Sequence, residues 1–373
     1  MKAVVERSEE KKKKTLHLPH ELVIQILIWL PVKSLIRFKS VCKLWFSLIS
    51  DPHFANSHFQ LTSAAHAPRI MCISYLSHEI QSIDFEAFLN DHHASQNLNF
   101  SLPESYFPVE IRGSCRGFIL LYRRSKIYVW NPSTGFKKQI PESPFDSKLV
   151  AQCRVHIHGF GYDRSRDDYL VVSLSYDPTV ANAVSTHLKF FSFRDNTWKV
   201  IEGTHLPYAV VPYHRKGCLF NGAIHWLAMR RDLRWNVMVA FDLMERKLFE
   251  MPLPGDFNHF LNSGLWVFGE FLSLWAMDYD NHIVKIWVMK EYKVHSSWNK
   301  TLVLSVPANP DRYFHPIHST KNGDIIGRNL SSRLVKYNDK GQLLRHRSFF
   351  NSPSDVVMYT DSLLSLPGDN EQV

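Results

Sequence analysis

Between positions 18 and 59 the apolar residues repeat with the spacing of short amphipathic helices. Leu18, Leu22, Val23, Ile26, Leu27 and Leu30 fall on an i, i+4, i+8 stripe unusually wide for one helix face. Pro19 suits the first turn of that helix, and Pro31 ends it because proline has no N–H to donate. A turn at Val32-Lys33 leads to Leu35, Ile36 and Phe38 on a second helix, then to Val41, Leu44, Trp45, Leu48 and Ile49 on a third. Asp51-Pro52 closes the third and caps a short fourth helix carrying Phe54 and Phe59. So few residues cannot bury all this apolar surface among themselves, so part of it is expected to meet another surface.

Near residue 65 the helical period gives way to short β-branched and aromatic runs separated by polar turns. Ile127–Trp130 turns at Asn131-Pro132-Ser133-Thr134-Gly135 and returns to Ile140. Comparable hairpins run through Leu188–Ile201, Val237–Met251, Ile283–Val306 and Leu334–Leu344. Inner strand pairs lie before them, in Cys115–Tyr122, Gly159–Ser173, Gly217–Leu227, Leu265–Met277 and Asp324–Leu330. The hairpins recur at roughly 45 to 60 residues, the period of a kelch-like propeller blade. A sixth unit assembles from Arg69–Phe85 with a final strand over Val356–Leu366, because pairing strands from the two ends removes exposed edges. The fold expected is mixed but mainly β: a small helical unit followed by a six-bladed β-propeller. Leu89–Phe107 reads as loop or linker.

The helical segment carries a specific pattern. Leu18-Pro19-His20-Glu21-Leu22, Ile26-Leu27, Leu30-Pro31-Val32-Lys33-Ser34-Leu35, Arg37-Phe38, Val41-Cys42-Lys43-Leu44-Trp45, Leu48-Ile49, Pro52 and Phe54 stand in the order and spacing of the plant F-box. The segment from about Leu16 to Phe59 therefore resembles an F-box. From Ile111 to Leu344 the chain resembles the plant F-box-associated domain, through Gly113-Ser114-Cys115-Arg116-Gly117, Trp130-Asn131-Pro132-Ser133-Thr134, Gly159-Phe160-Gly161-Tyr162-Asp163, Asn221-Gly222-Ala223-Ile224-His225-Trp226-Leu227 and Ala240-Phe241-Asp242. Arg116 stands where that family usually has asparagine, and Leu170 where it usually has lysine. These departures touch local surface chemistry and leave the fold expectation intact. The division expected is a basic tail over 1–15, the F-box over 16–60, the propeller over 61–366 and a short tail over 367–373.

Composition narrows the setting. With 45 % hydrophobic and 13 % aromatic residues, 373 residues can bury a core without metals or staples. The cysteines, Cys42, Cys72, Cys115, Cys153 and Cys218, are odd in number and widely spaced, which fits a reducing compartment. The charged start, Lys2 to Lys14, has no apolar run of a secretory signal, and no apolar stretch is long enough for a bilayer. Cytoplasm or nucleus is expected, without a membrane partner, and the Asn99-Phe100-Ser101 sequon is expected to be idle. A net charge of +9 permits an acidic partner, but apart from Lys11–Lys14 the basic residues are dispersed, as on a solvated surface.

Several motifs bear on chemistry. Gly113-Ser114-Cys115-Arg116-Gly117 has the outline of a nucleophile elbow, but an elbow needs a following helix and an oriented histidine, and strand follows here. His156 and His158 share one strand face without an identifiable third ligand. Asp163, Asp167 and Asp168 sit in a turn with Arg164 and Arg166, where pairing is expected in place of acid–base work. Trp130, Trp198, Trp226, Trp275, Trp287 and Trp298 recur at comparable blade positions, as packing residues do. No catalytic residue, metal or cofactor is expected.

The resemblance implies a non-catalytic substrate-recognition subunit of a Skp–cullin–F-box ubiquitin ligase. A Skp-family adaptor would receive Leu18, Pro19, Leu22, Ile26, Leu27, Leu30, Pro31, Leu35, Val41, Cys42, Trp45 and Leu48, some of which must serve the internal core instead. Lys33, Arg37, Lys39 and Lys43 would steer the approach of an acidic adaptor surface. Through the adaptor would come a cullin, and on the propeller an unidentified protein substrate. Two other functions compete: an F-box protein acting outside ubiquitination, and a basic propeller on nucleic acid, which requires a continuous Lys/Arg stripe. A propeller enzyme would require ligands or carboxylates gathered in the central channel.

Overall fold

The computed structural model describes residues 19–63, 68–74, 79–84, 87, 95–98, 109–123, 125–145, 155–176, 187–201, 208–209, 216–230, 233, 235–257, 262–305, 314–320, 322–329, 333–348 and 353–368. Four helices come first: α1 (His20–Leu27), α2 (Val32–Phe38), α3 (Lys43–Ser50) and α4 (Pro52–Thr62). Pro19 and Pro31 stand immediately before α1 and α2, where a missing N–H costs nothing. The Asp51 carboxylate accepts from the backbone N–H groups of His53 and Phe54 at 2.8 and 3.0 Å, capping α4. Leu27, Val32, Leu35, Ile49, Phe54 and Ala55 form the buried interior of this bundle.

Six antiparallel sheets follow. Blade 2 is built from Glu110–Cys115, Phe118–Arg123, Lys126–Trp130 and Lys137–Ile140, and blade 3 from Val155–Asp163, Asp168–Tyr176, His187–Ser192 and Thr197–Val200. Blade 4 comprises Cys218–Phe220, Ala223–Arg230, Trp235–Asp242 and Lys247–Met251, with Tyr208–Ala209 pairing beside it. Blade 5 is Ser263–Phe268, Phe271–Asp278, Ile283–Met289 and Trp298–Ser305; blade 6 is Phe314–Ser319, Ile325–Asn329, Arg333–Tyr337 and Leu343–Ser348. Blade 1 takes its innermost strand, Pro353–Tyr359, from the far end of the chain and pairs it with Arg69–Ser74, followed by Ile80–Asp84 and Ser95–Leu98. The six innermost strands contact one another in sequence around a ring, so the closure expected from the two ends is the one observed.

Several boundaries differ from expectation: Val32-Lys33, read as a turn, opens α2, Val41 precedes α3, and the fourth helix, read as short, is the longest of the four at 11 residues. The last strand stops at Tyr359, and residues 360–366 leave the sheet. Asn131 draws them away: its Nδ2 donates to the Ser362 and Leu364 carbonyls at 3.0 and 3.3 Å, and Leu363, Leu364 and Leu366 sink into the core shared by the helices and blades 2 and 3. Within the stretch expected to be linker, Ser95–Leu98 forms the outer strand of blade 1. Its polar Gln96 and Asn97 suit an exposed sheet edge, which is why the segment lacks an apolar signal.

Blades pack face to face through the tryptophans and aromatics. Trp130, Trp198, Trp226, Trp275 and Trp287 are buried, and Trp298 is half-buried against the same interior. Gly159 makes room for one of these contacts: a Cβ there would lie 2.3 Å from Ile224 Cγ2 and 2.7 Å from Trp226 Cζ2. On the propeller axis, Lys216 Nζ of the blade 4 approach pairs with Asp355 of blade 1 and donates to the Val356 carbonyl at 3.3 Å. The other Asp355 oxygen accepts from Ile111 N–H at 2.7 Å, tying blades 1, 2 and 4 together.

Candidate functional site

The helical bundle leaves several apolar side chains that its own core does not use. On α1, Leu27 points inward while Leu22 and Ile26, one turn apart, are 45 % and 55 % exposed. Trp29, just beyond the helix, extends this stripe and is 59 % exposed. Val41, Leu44 and Phe46 at the start of α3 are also exposed, as are Pro19, Pro31 and Cys42. Isolated apolar residues on a surface are ordinary, and a group of this size on one small bundle is a candidate contact surface.

Of the residues singled out by sequence, the structure leaves Pro19, Leu22, Ile26, Pro31, Val41 and Cys42 at the surface. Leu27 and Leu35, at 2 % and 0 %, belong to the interior. Leu30, Trp45 and Leu48 are half-buried and pack against that interior. Leu18 lies outside the described residues, as do Lys11–Lys14. Trp29, Leu44 and Phe46 were not among the candidates. Trp29 follows Leu22 by seven residues and Ile26 by three, so the helical period itself carried the signal.

Arg37 and Lys43 are exposed, and Lys33, also exposed, donates through Nζ to Gln96 Oε1 on the outer strand of blade 1. Lys39 is half-buried, its ammonium 5.9 Å from the Phe46 ring centroid, and burial lowers its pKa. Basic groups beside an apolar patch favour an acidic partner and speed its arrival.

The motifs with possible chemistry serve structure. Gly113-Ser114-Cys115 ends a strand, Arg116-Gly117 turns, and a second strand begins at Phe118. The Cys115 thiol is buried, which pushes its pKa up to about 12, the opposite of an activated nucleophile. Asp163 accepts from Ser165 and Arg166; burial alone would raise its pKa, but these bonds hold it below the usual range. Arg246, in the adjoining turn of blade 4, reaches both Asp163 and Asp168, at 3.6 and 3.7 Å, so these carboxylates join blades 3 and 4. His158 is buried beneath Tyr122, with ring centroids 5.1 Å apart. The side chain of His156 lies outside the described residues, and no group of three or more His, Cys, Asp or Glu suited to a metal occurs among those described. Many basic residues are in ion pairs, including Arg166, Arg194, Arg230, Lys285 and Lys336.

Known proteins resemble the chain over both parts. The family described as the F-box associated beta propeller domain matches residues 71–339, and the F-box-like family matches residues 15–60. The F-box/kelch-repeat protein At3g23880 of Arabidopsis thaliana is 29 % identical over 374 residues, covering 95 % of this chain and 96 % of its own. The F-box protein CPR1 of the same plant is 26 % identical over 380 residues, covering 94 % and 90 %. The putative F-box protein At3g52320, also from Arabidopsis thaliana, is 29 % identical over 266 residues, covering 68 % and 65 %.

Proposed function

The chain belongs to the F-box associated beta propeller family and begins with an F-box-like segment, and from that premise we propose that it is the substrate-recognition subunit of a Skp–cullin–F-box ubiquitin ligase. F-box segments bind Skp-type adaptors, and members of this family are typically non-catalytic. The observation that carries the proposal is the set of exposed apolar side chains Leu22, Ile26, Trp29, Val41, Leu44 and Phe46, which the core of the bundle does not use. Burying these side chains against an adaptor removes the unfavourable exposure, and Arg37 and Lys43 assist the encounter.

The propeller then holds a target protein beside the ubiquitin-transfer machinery, and the chain contributes proximity without a reacting group. Free thiols at Cys42, Cys72, Cys115 and Cys218 accord with work in the cytoplasm or nucleus. Affinity purification of the full chain, with and without proteasome inhibition, tests the reading. The expected result is co-purification of a Skp-family adaptor and a cullin, with one further protein accumulating under inhibition. An adaptor without cullin would redirect the function outside ubiquitination, and no adaptor at all would overturn it.

A further inference from the structure

One contact joins the helical bundle to the propeller through a residue whose backbone is unfavourable for its type. Arg116 and Gly117 form the two-residue turn between the first two strands of blade 2, both with positive φ, 49° and 86°. Such turns favour asparagine followed by glycine, because a longer side chain at positive φ crowds its own backbone.

The guanidinium touches both parts of the molecule. Towards α4, Nη2 donates to Asn56 Oδ1 at 2.6 Å and the group lies 5.1 Å from the Phe59 ring centroid. Towards blade 3, it lies 4.0 Å from the Tyr162 ring centroid, and Nε donates to the Tyr169 hydroxyl at 3.2 Å. A planar cation close to two rings, with its Nε and Nη2 both hydrogen-bonded, is held in an orientation that a lysine cannot reproduce. The blade 3 side is itself braced: the Tyr162 hydroxyl donates to Asp167 Oδ1 at 2.5 Å, and Arg194 pairs with Asp167 at 3.1 Å.

We propose that Arg116 is a positioning residue that, at the edge of the apolar core the helices share with blades 2 and 3, restricts their relative rotation, so that the propeller is held at one fixed angle to whatever the F-box docks on. A substrate seated on the propeller is then presented at a set distance from the transfer machinery. That consequence rests on the adaptor reading above; the clamp itself does not.

The test uses Arg116→Asn in the full chain, since asparagine suits the backbone of this turn and removes only the clamp. Spin labels at His53→Cys on α4 and Glu270→Cys in the blade 5 turn, with Cys42, Cys153 and Cys218 replaced by serine, report the spread of distances between the two parts, and adaptor affinity is measured on chains that keep all native cysteines. Arg116→Asn should at least double the width of the distance distribution, while the propeller still unfolds cooperatively and adaptor affinity stays within about threefold. Arg116→Lys, which keeps the charge without the planar fork, should restore less than half of the narrowing. An unchanged width in Arg116→Asn, or full restoration by lysine, would overturn the proposal. Loss of cooperative unfolding in Arg116→Asn would also overturn it, reducing Arg116 to a folding residue. Failure of the unsubstituted chain to bind a Skp-family adaptor would remove the ligase reading while leaving the clamp measured independently.

Discussion

Replacing Leu22 and Ile26 together by alanine should weaken adaptor binding without weakening the fold. Both side chains are about half exposed, so roughly half of each remains to be buried on docking. Full burial of a leucine or isoleucine stabilises by about 1.5–3 kcal/mol, which makes the remaining half worth about 1 kcal/mol per residue. The pair then contributes about 2 kcal/mol, roughly a 30-fold rise in Kd. Calorimetric titration of the purified chain with a Skp-family adaptor measures this directly, with thermal unfolding run on the same samples. Leu35→Ala is the contrasting control: at 0 % exposure it should cost about 2–5 kcal/mol of stability. A Kd change below about threefold for the double variant, or a fall in its melting temperature matching that of Leu35→Ala, would refute the assignment of this face.

Other consequences follow from the interior. Gly159→Ala forces a Cβ to within 2.3 Å of Ile224 Cγ2, so denaturant unfolding should register a loss of about 1–3 kcal/mol; an unchanged midpoint would mean that blades 3 and 4 can separate freely. Asp355→Asn removes the charge that Lys216 meets on the axis and should destabilise by about 1–3 kcal/mol, with salt reducing the difference between the two proteins. His225 is fully buried, its Nδ1 3.1 Å from the Cys218 carbonyl and its Nε2 2.8 Å from the Tyr292 hydroxyl. Burial, helped by the Lys293 charge, pushes its pKa down to about 4, whereas the unfolded chain takes up that proton near 6.5. The stability it contributes is therefore full above pH 6.5 and is lost as pH falls from there towards 4. Between pH 6.5 and 5 the loss from this group should be about 2 kcal/mol, seen as a shallower pH slope in His225→Gln; identical slopes would show that the ring is not held neutral.

The sequence by itself determined the local elements and their order. Pro19 and the Asp51-Pro52 pair act on the backbone within a few residues, so the start of α1 and the break between α3 and α4 were legible, whereas α1 stops at Leu27, short of Pro31, and α2 begins at Val32, where a turn was read. The hairpin at Asn131–Gly135 was legible for the same reason, since Asn131 Oδ1 accepts from the Ser133 N–H two residues on, at 2.9 Å. Five units came from recurrence, and the sixth, blade 1 shared between the two ends, came from the need to remove sheet edges.

Only the tertiary structure decided which apolar side chains of the F-box face inward. Leu22 and Leu27 are equally hydrophobic on a stripe that wraps the helix, and it is the position of α2 to α4 that buries one and leaves the other in water. The same holds for pairs far apart in sequence. Lys216 meets Asp355 across the axis, Arg246 meets Asp163 and Asp168 across a blade boundary, and Arg116 reaches Asn56 across the junction of the two parts. Ring closure and packing against the bundle create these contacts, and no local period encodes a partner that the chain reaches only after the whole ring has formed.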